Sequence, residues 1–223
     1  MPVYVVFAPE TIRGIYPTWP ACEAKVTGVR GATFQKAPSQ AAAEAMLSGE
    51  TLRLLPGLYV AIDGNHLGGL GCVFSHHGDG VAATTREYAT TLAALFPAGI
   101  PVSGGPAIPA SQALAALRNI AAELGALALA LQHAPRGQAL TVVHDYEGIG
   151  AWMTGRWQAH EPIVRALLAE CRRRIDAGNL TVTYRHQRGH QADPLGLNPL
   201  VRANQRADAL ATAAITSAPA AAH

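Results

Sequence analysis

The sequence contains little charge and few aromatic side chains. Of its 223 residues, 14% are charged and 6% are aromatic, and the formal net charge is +2. So small a positive charge does not by itself indicate nucleic-acid binding, and any basic surface must be local. The hydrophobic share of 49% is large enough for a buried core, and the length fits one domain or a domain with a small module.

Cysteines and long apolar runs are also scarce. The three cysteines are odd in number and far apart, which favours neither a disulfide framework nor a zinc site. No run of about 18 apolar residues predicts a membrane span. The first ten residues lack the basic start and apolar centre of a signal peptide. We therefore expect a cytoplasmic monomer with no membrane partner.

The hydrophobic pattern divides the chain into two regions. Residues 1–48 predict a small α/β module with three strands and two helices, and residues 49–57 form a short linker. Residues 58–216 predict three antiparallel strands followed by alternating helices and strands. This pattern gives a mixed five-stranded sheet flanked by helices. One long helix is expected at about 111–132, and residues 217–223 form a flexible tail.

Four of the 15 acidic residues occupy positions where an acid is costly. Asp63 and Asp145 end two apolar strand segments, whereas Glu123 and Asp208 lie in alanine-rich and leucine-rich helices. Buried carboxylates have raised pKa values, and four together repel one another unless a cation joins them. All-oxygen ligands favour Mg²⁺ or Mn²⁺. Spacing alone leaves two interpretations open, a divalent-metal site or a set of helix caps and surface ion pairs.

Five segments of the second region carry a specific pattern. In chain order they are Tyr-Val-Ala-Ile-Asp63-Gly64, Asn119-Ile-Ala-Ala-Glu123-Leu, Asp145-Tyr-Glu-Gly-Ile-Gly-Ala-Trp-Met-Thr-Gly-Arg-Trp157, Arg188-Gly189-His190 and Asn204-Gln-Arg-Ala-Asp208. Together they resemble the type 1 ribonuclease H domain over residues 58–215. The resemblance implies a ribonuclease H-like fold and an endoribonuclease that cuts the RNA strand of RNA–DNA hybrids. It also implies products with 5′-phosphate and 3′-hydroxyl ends.

The same resemblance assigns roles to individual residues. It implies that two Mg²⁺ ions, or Mn²⁺ as a substitute, are bound by four catalytic carboxylates: Asp63, Glu123, Asp145 and Asp208. Two such ions can clamp an in-line phosphoryl displacement. His190 is implied to assist proton transfer or product release. Asn119 is a candidate for contact with the RNA 2′-hydroxyl, and Arg188, beside the histidine, is a candidate for phosphate contact. The stretch between the first two acids is longer than in that family, chiefly at 84–108, and has no assigned role.

A second resemblance lies in the first region. Its segments are Gly14-Ile15-Tyr16-Pro-Thr18-Trp19-Pro-Ala-Cys22 and Val26-Thr-Gly28-Val-Arg-Gly31-Ala32-Thr-Phe34-Gln-Lys36. They resemble the hybrid-binding, viroplasmin-like domain, which implies an RNA–DNA hybrid or double-stranded RNA as partner. Tyr16, Trp19 and Phe34 offer aromatic faces to sugars, and Lys36 offers a charge to phosphates. The alternative is that Trp19 and Phe34 simply form the core of a small module.

Two other functions remain open from the sequence. One is a non-catalytic protein that binds hybrids or double-stranded RNA through an inactive nuclease fold. The other is a related enzyme that acts on DNA, such as a resolvase or an integrase. The presence of all four expected acids argues against the first, and the N-terminal module argues against the second.

Overall fold

The computed structural model describes residues 1–48, 54–78, 81–189, 193 and 198–217. The chain forms two compact units. Among the described residues, the first contains 1–48, 54, 193 and 198–202, and the second contains 55–78, 81–189 and 203–217. Most of the predicted linker, almost all of the predicted tail and His190 lie outside the described residues. Within the described ranges, no helix is long and apolar enough to cross a membrane.

The N-terminal unit is a three-stranded antiparallel sheet with a helix on each face. Its elements are β1 (Val3–Ala8), β2 (Gly14–Tyr16), α1 (Trp19–Val26), β3 (Thr33–Ala37) and α2 (Gln40–Ser48). Strand β1 lies between β2 and β3. Alternation along β1 separates two small cores, since Val5 packs with Ala43 of α2 whereas Val6 packs with Cys22 of α1. The predicted three strands and two helices are confirmed.

The second unit is built on a mixed five-stranded sheet, as predicted. Its elements are β4 (Gly57–Gly64), β5 (Gly69–Gly78), β6 (Val81–Thr91), α3 (Leu92–Leu95), α4 (Ala110–Leu117), α5 (Asn119–His133), β7 (Ala139–His144), α6 (Glu147–Met153), α7 (Pro162–Gly178), β8 (Thr181–His186) and α8 (Pro199–Thr216). The strand order is β6-β5-β4-β7-β8. The first three strands are antiparallel, and β4, β7 and β8 run parallel to one another.

Helix α5 is the central helix of this unit. It is buried over eleven consecutive residues, Ala121–Leu131, and packs against β4, β5 and α7. A helix that is apolar on all sides is expected to be buried in this way. Glu123 is the one acidic residue in the buried stretch, so the fold carries its carboxyl group into the core of the unit.

The prediction of a single long helix at about 111–132 is wrong. The structure has two helices, α4 and α5, separated at Arg118, whose φ of 47° lies in the left-handed region. Such a conformation is unusual for a residue with a side chain, and neither glycine nor proline marks the break in the sequence. The break makes Asn119 the first residue of α5, one turn before Glu123.

Candidate metal centre

The site begins where strand β4 and helix α5 meet at Gly64. A Cβ at this position would lie 2.6 Å from the Glu123 amide nitrogen and would collide with the Ala122 carbonyl group. Glycine therefore allows the two backbones to touch. The contact brings Asp63, the preceding residue of β4, beside Glu123, whose carboxyl group also receives a hydrogen bond from the Gly64 backbone N–H.

Asp145 joins these two residues from the neighbouring parallel strand. Val143 of β7 pairs with Ala61 of β4, so the two strands end at the same edge of the sheet. One carboxylate oxygen each from Asp63, Glu123 and Asp145 lie within 4.8 Å of one another. The structure therefore brings together three acids that are 60 and 22 positions apart in the sequence.

Burial and mutual repulsion perturb the carboxyl groups of Asp63 and Glu123. Asp63 is 8% exposed and Glu123 is 6% exposed. Burial, followed by the charges of Asp145 and Asp208, raises the pKa of Asp63 to about 7. Burial, followed by repulsion from Asp63 and Asp145, also raises the pKa of Glu123 well above its ordinary value. A hydrogen bond between the side chains of Glu123 and Asp145 adds to that shift, whereas the Gly64 hydrogen bond opposes it.

A divalent cation fits this arrangement. The Oε2 atom of Glu123 is buried and has no hydrogen-bond partner among the residues that the structure describes. An unsatisfied buried carboxylate oxygen is costly, and a cation would satisfy it while cancelling the repulsion among the acids. The three side chains offer only oxygen ligands, which suits Mg²⁺ or Mn²⁺ rather than zinc.

Asp208 lies on helix α8, outside the group of three. Its side chain is exposed, yet its charge contributes to the raised pKa of Asp63. The helix packs closely against β5, because a Cβ at Gly71 would collide with the Ala207 carbonyl oxygen and one at Gly69 with the carbonyl oxygen of Ala211.

Asn65 is a positioning residue that the sequence analysis did not identify. Its Oδ1 accepts hydrogen bonds from the backbone N–H groups of Leu67 and Gly69, both at 3.0 Å. Its Nδ2 donates to the Ala211 carbonyl oxygen of α8, also at 3.0 Å. The Asn65 side chain thus shapes the turn after β4 and ties that turn to the helix that carries Asp208.

Two other predicted site residues lie near the cluster. Asn119 is exposed in the first turn of α5, four residues before Glu123 and therefore on the same side of the helix. Arg188 is exposed in the segment after β8. The next residue, Gly189, approaches the cluster so closely that a Cβ there would collide with Oδ2 of Asp145.

Two histidines near Asp145 were also missed. His144 is 2% exposed, and burial lowers its pKa to about 4 against the opposing effect of its hydrogen bond to the Tyr146 carbonyl. His186 is exposed and forms a hydrogen bond with the Asp145 carbonyl oxygen. The only available sequence signal was the position of each histidine at the end of a predicted strand.

The N-terminal unit presents a row of aromatic rings. The ring of Trp19 lies 5.3 Å from that of Tyr4 and 5.4 Å from that of Phe34, measured between centroids. Trp19 is 36% exposed and Phe34 is 40% exposed, so neither is simply a core residue. Lys36 pairs with Tyr4 across the sheet and lies on the same face. Tyr4 was not singled out from the sequence.

Tyr16, another predicted nucleic-acid contact, has a partly structural position. It pairs with Tyr4 across β1 and β2, so the two side chains share one face of the sheet. Its hydroxyl donates a 2.7 Å hydrogen bond to the Ile12 carbonyl oxygen, and its ring packs against the core on the α1 side.

One family model matches the N-terminal unit of the chain. Residues 2–47 match the family model of the ribonuclease H1 N-terminal domain, which confirms the resemblance inferred for that region. A search of the curated proteins found no match to the chain.

Solved structures of ribonuclease H1 proteins are similar to most of the chain. The enzyme from Halobacterium salinarum NRC-1 is 20% identical and covers 72% of this chain and 98% of its own, with a TM-score of 0.43. LC11-RNase H1, isolated from compost and solved with an RNA/DNA hybrid, is 18% identical, with 72% and 98% coverage and a TM-score of 0.43. An N-terminal RNase H domain from Mycobacterium tuberculosis is 19% identical, with 70% and 98% coverage and a TM-score of 0.41.

Proposed function

We propose that this protein is an endoribonuclease that hydrolyses the RNA strand of RNA–DNA hybrids. The observation that carries the proposal is the cluster of Asp63, Glu123 and Asp145, with its unsatisfied Glu123 oxygen. Buried acids that repel one another are typical of a site built for divalent cations. The match of residues 2–47 to the ribonuclease H1 N-terminal domain supports a hybrid as the substrate.

The proposed centre uses four carboxylates, the three clustered acids and Asp208, to hold two Mg²⁺ ions, with Mn²⁺ as a substitute. When bound, such ions would activate water and stabilise the leaving oxygen. The proposed 5′-phosphate and 3′-hydroxyl ends follow from the resemblance to type 1 ribonuclease H, not from the metal chemistry. The protein supplies the negative charge that would hold the ions, and two of the acids, Asp63 and Glu123, supply it from buried positions. Asn119, one turn before Glu123, is proposed to contact the ribose 2′-hydroxyl. His190 is retained as the proposed assistant in proton transfer or product release.

Substrate binding by the N-terminal unit rests on its exposed aromatic rings. Trp19 and Phe34 are proposed to stack on sugars or bases, while Lys36 meets a phosphate. Tyr16 belongs to the same face and is proposed to support this surface. Tyr4 packs against Trp19 and is added to the proposed surface for that reason.

A second proposed contact lies in the larger unit, between the end of α6 and helix α7. A groove of about 440 Å³ is lined there by Trp157, His160, Arg165 and Arg172, among others. Trp157 is 45% exposed, and an exposed tryptophan beside two arginines suits a nucleic-acid backbone. Because the net charge of the chain is only +2, such a local basic surface is needed to hold a polyanion.

The decisive experiment is Mg²⁺-dependent cleavage of an RNA–DNA hybrid compared with single-stranded RNA, double-stranded RNA and a DNA duplex. We expect cleavage of the hybrid RNA strand alone, and loss of cleavage with retained hybrid binding in Asp63→Asn. Asp176→Asn, which changes an exposed acid on α7, is the matched control and should cleave normally. Binding without turnover in either Mg²⁺ or Mn²⁺ would instead indicate a non-catalytic protein. Cleavage of DNA alone would indicate a DNA enzyme.

A further inference from the structure

The parallel strands β7 and β8 end with two histidines directly opposite each other. His144 pairs with His186 in the register of the two strands, and their ring centroids are 5.8 Å apart. Asp145 follows His144 immediately, so both rings lie beside the backbone segment that carries this clustered carboxylate.

Both rings donate hydrogen bonds to that segment. A carbonyl oxygen can only accept, so the ring nitrogens must carry the hydrogens. Nδ1–H of His144 donates to the Tyr146 carbonyl oxygen at 2.9 Å, and Nε2–H of His186 donates to the Asp145 carbonyl oxygen at 2.9 Å. The Gln187 backbone N–H donates to the His144 carbonyl oxygen at 2.8 Å. The carbonyl groups of three consecutive residues, 144 to 146, therefore all accept hydrogen bonds.

Packing fixes the ring of His144 in this position. The side chain is 2% exposed, and a Cβ on Gly150 of α6 would lie only 3.0 Å from its Nε2 atom. Tyr184 of β8 makes an edge contact with the ring, at a centroid distance of 6.4 Å. His144 thus connects β7, β8 and α6 at the point where Asp145 begins.

We propose that His144 and His186 are positioning residues that fix the backbone of Asp145, so that its carboxylate stays beside those of Asp63 and Glu123. Asp145 is only half-buried, so without these bonds its segment could turn the carboxylate toward solvent and away from the other two acids. Fixing the backbone keeps the three carboxylates together before a cation arrives, which strengthens cation binding. The inference rests on the proposed function only in taking Asp145 as a metal ligand, and it is independent of the substrate.

The test measures Mn²⁺ binding to the full chain without nucleic acid, from the electron paramagnetic resonance signal of free Mn²⁺. His186→Phe and His144→Phe remove the donors. His186→Gln and His144→Asn place an amide N–H near the original Nε2 and Nδ1 positions. Loss of a group that orients a metal ligand weakens affinity about 10- to 100-fold, so we expect at least tenfold weaker binding in the Phe variants and recovery of most of the affinity in the amide variants.

Thermal unfolding and metal-free hybrid binding are measured alongside, and we expect hybrid binding to be unchanged. The proposal is overturned if folded His186→Phe binds Mn²⁺ as tightly as the wild type, or if Phe and Gln weaken binding equally. If His144→Phe fails to fold, the comparison of His186→Phe with His186→Gln, at an exposed position, tests the proposal. Wild-type protein that binds Mn²⁺ but does not cleave hybrids would refute the proposed function. The comparison of Mn²⁺ affinities would still test whether the two histidines position Asp145.

Discussion

Gly64 and Glu123 touch backbone to backbone, since a Cβ on Gly64 would lie 2.6 Å from the Glu123 amide nitrogen. Gly64→Ala must therefore push strand β4 and helix α5 apart. We expect a loss of about 1–3 kcal/mol in the free energy of unfolding, the usual cost of overpacking. Mn²⁺ affinity should fall at the same time, because the shift separates Asp63 from Glu123.

Gly78→Ala is the matched control for this variant. Gly78 also ends a strand of the same sheet, but no atom of the described residues lies within 4 Å of an added Cβ there. Urea unfolding and Mn²⁺ titration of both variants give the comparison. Equal stability and equal Mn²⁺ affinity in the two variants would show that the close approach at Gly64 does not build the site.

The raised pKa of Asp63 predicts a stability cost that depends on pH and is relieved by metal. Its pKa is about 7 in the folded protein, against an ordinary value of 3.8. The folded state holds the proton more tightly, so this group's stabilising contribution is complete below about pH 4 and is lost as pH rises through 7. At about 1.4 kcal/mol per pKa unit, a shift from 3.8 to about 7 corresponds to a loss of about 4 kcal/mol.

The measurement compares wild type with Asp63→Asn by urea unfolding at pH 5 and pH 8, in EDTA and in Mg²⁺. In EDTA we expect the asparagine variant to gain stability relative to wild type between these two pH values. Mg²⁺ should stabilise the wild type at pH 8 and have little effect on the variant, since binding to the folded state shifts its stability by mass action. Parallel pH profiles in EDTA would contradict the assignment of a buried, repelled carboxyl group to Asp63.

The clustered acids could be predicted from the sequence, but the residues that position them could not. Asp63 and Asp145 end apolar strands, and Glu123 interrupts an apolar helix, so each stands out locally. The hydrogen bonds from His144 and His186 to the segment around Asp145 depend on the register of β7 and β8, which no local pattern encodes. The break at Arg118 was missed because a side chain there adopts a conformation usually reserved for glycine.

The same difference applies to the N-terminal unit. Trp19 and Phe34 were recognisable from their motif, but Tyr4 lies in an apolar strand and resembles any core residue in the sequence. It packs against Trp19 because the alternation of β1 turns it to the same face as helix α1.

A buried glutamate on α7 that pairs with two arginines is predicted to stabilise the larger unit. Glu170 is 4% exposed and accepts hydrogen bonds from Arg173 and Arg174, with the closest contact to each guanidinium at 2.7 Å. These bonds lower the pKa of Glu170. Arg174 also donates to the Ala128 carbonyl oxygen and lies over the Phe96 ring, so it joins α7, α5 and the segment at 84–108.

Glu170→Gln should cost about 3 kcal/mol in the free energy of unfolding, because it leaves the largely buried Arg174 guanidinium without its counter-charge. Arg173→Ala is the control: its side chain is 66% exposed, so its loss should cost less than about 1 kcal/mol. The depressed pKa of Glu170 makes its contribution complete above the unfolded pKa of about 4.5 and lost as the pH falls. Urea unfolding at pH 7 and pH 4 should therefore show a smaller difference between wild type and Glu170→Gln at the lower pH.

Trp19→Ala should weaken hybrid binding without abolishing cleavage. The ring is the centre of the Tyr4, Trp19 and Phe34 row, and losing one aromatic stacking platform costs about 1–3 kcal/mol, or about 5- to 150-fold in affinity. The carboxylate cluster belongs to the other unit, so cleavage at saturating hybrid should remain close to the wild-type rate. Fluorescence anisotropy in EDTA gives the affinity, and single-turnover cleavage in Mg²⁺ gives the rate.

Tyr16→Phe, which removes only the hydroxyl bonded to Ile12, is the control that should bind nearly normally. If folded Trp19→Ala binds the hybrid as tightly as the wild type, the aromatic surface does not contribute to binding. If the variant loses the N-terminal fold, Trp19 acts chiefly as a packing residue.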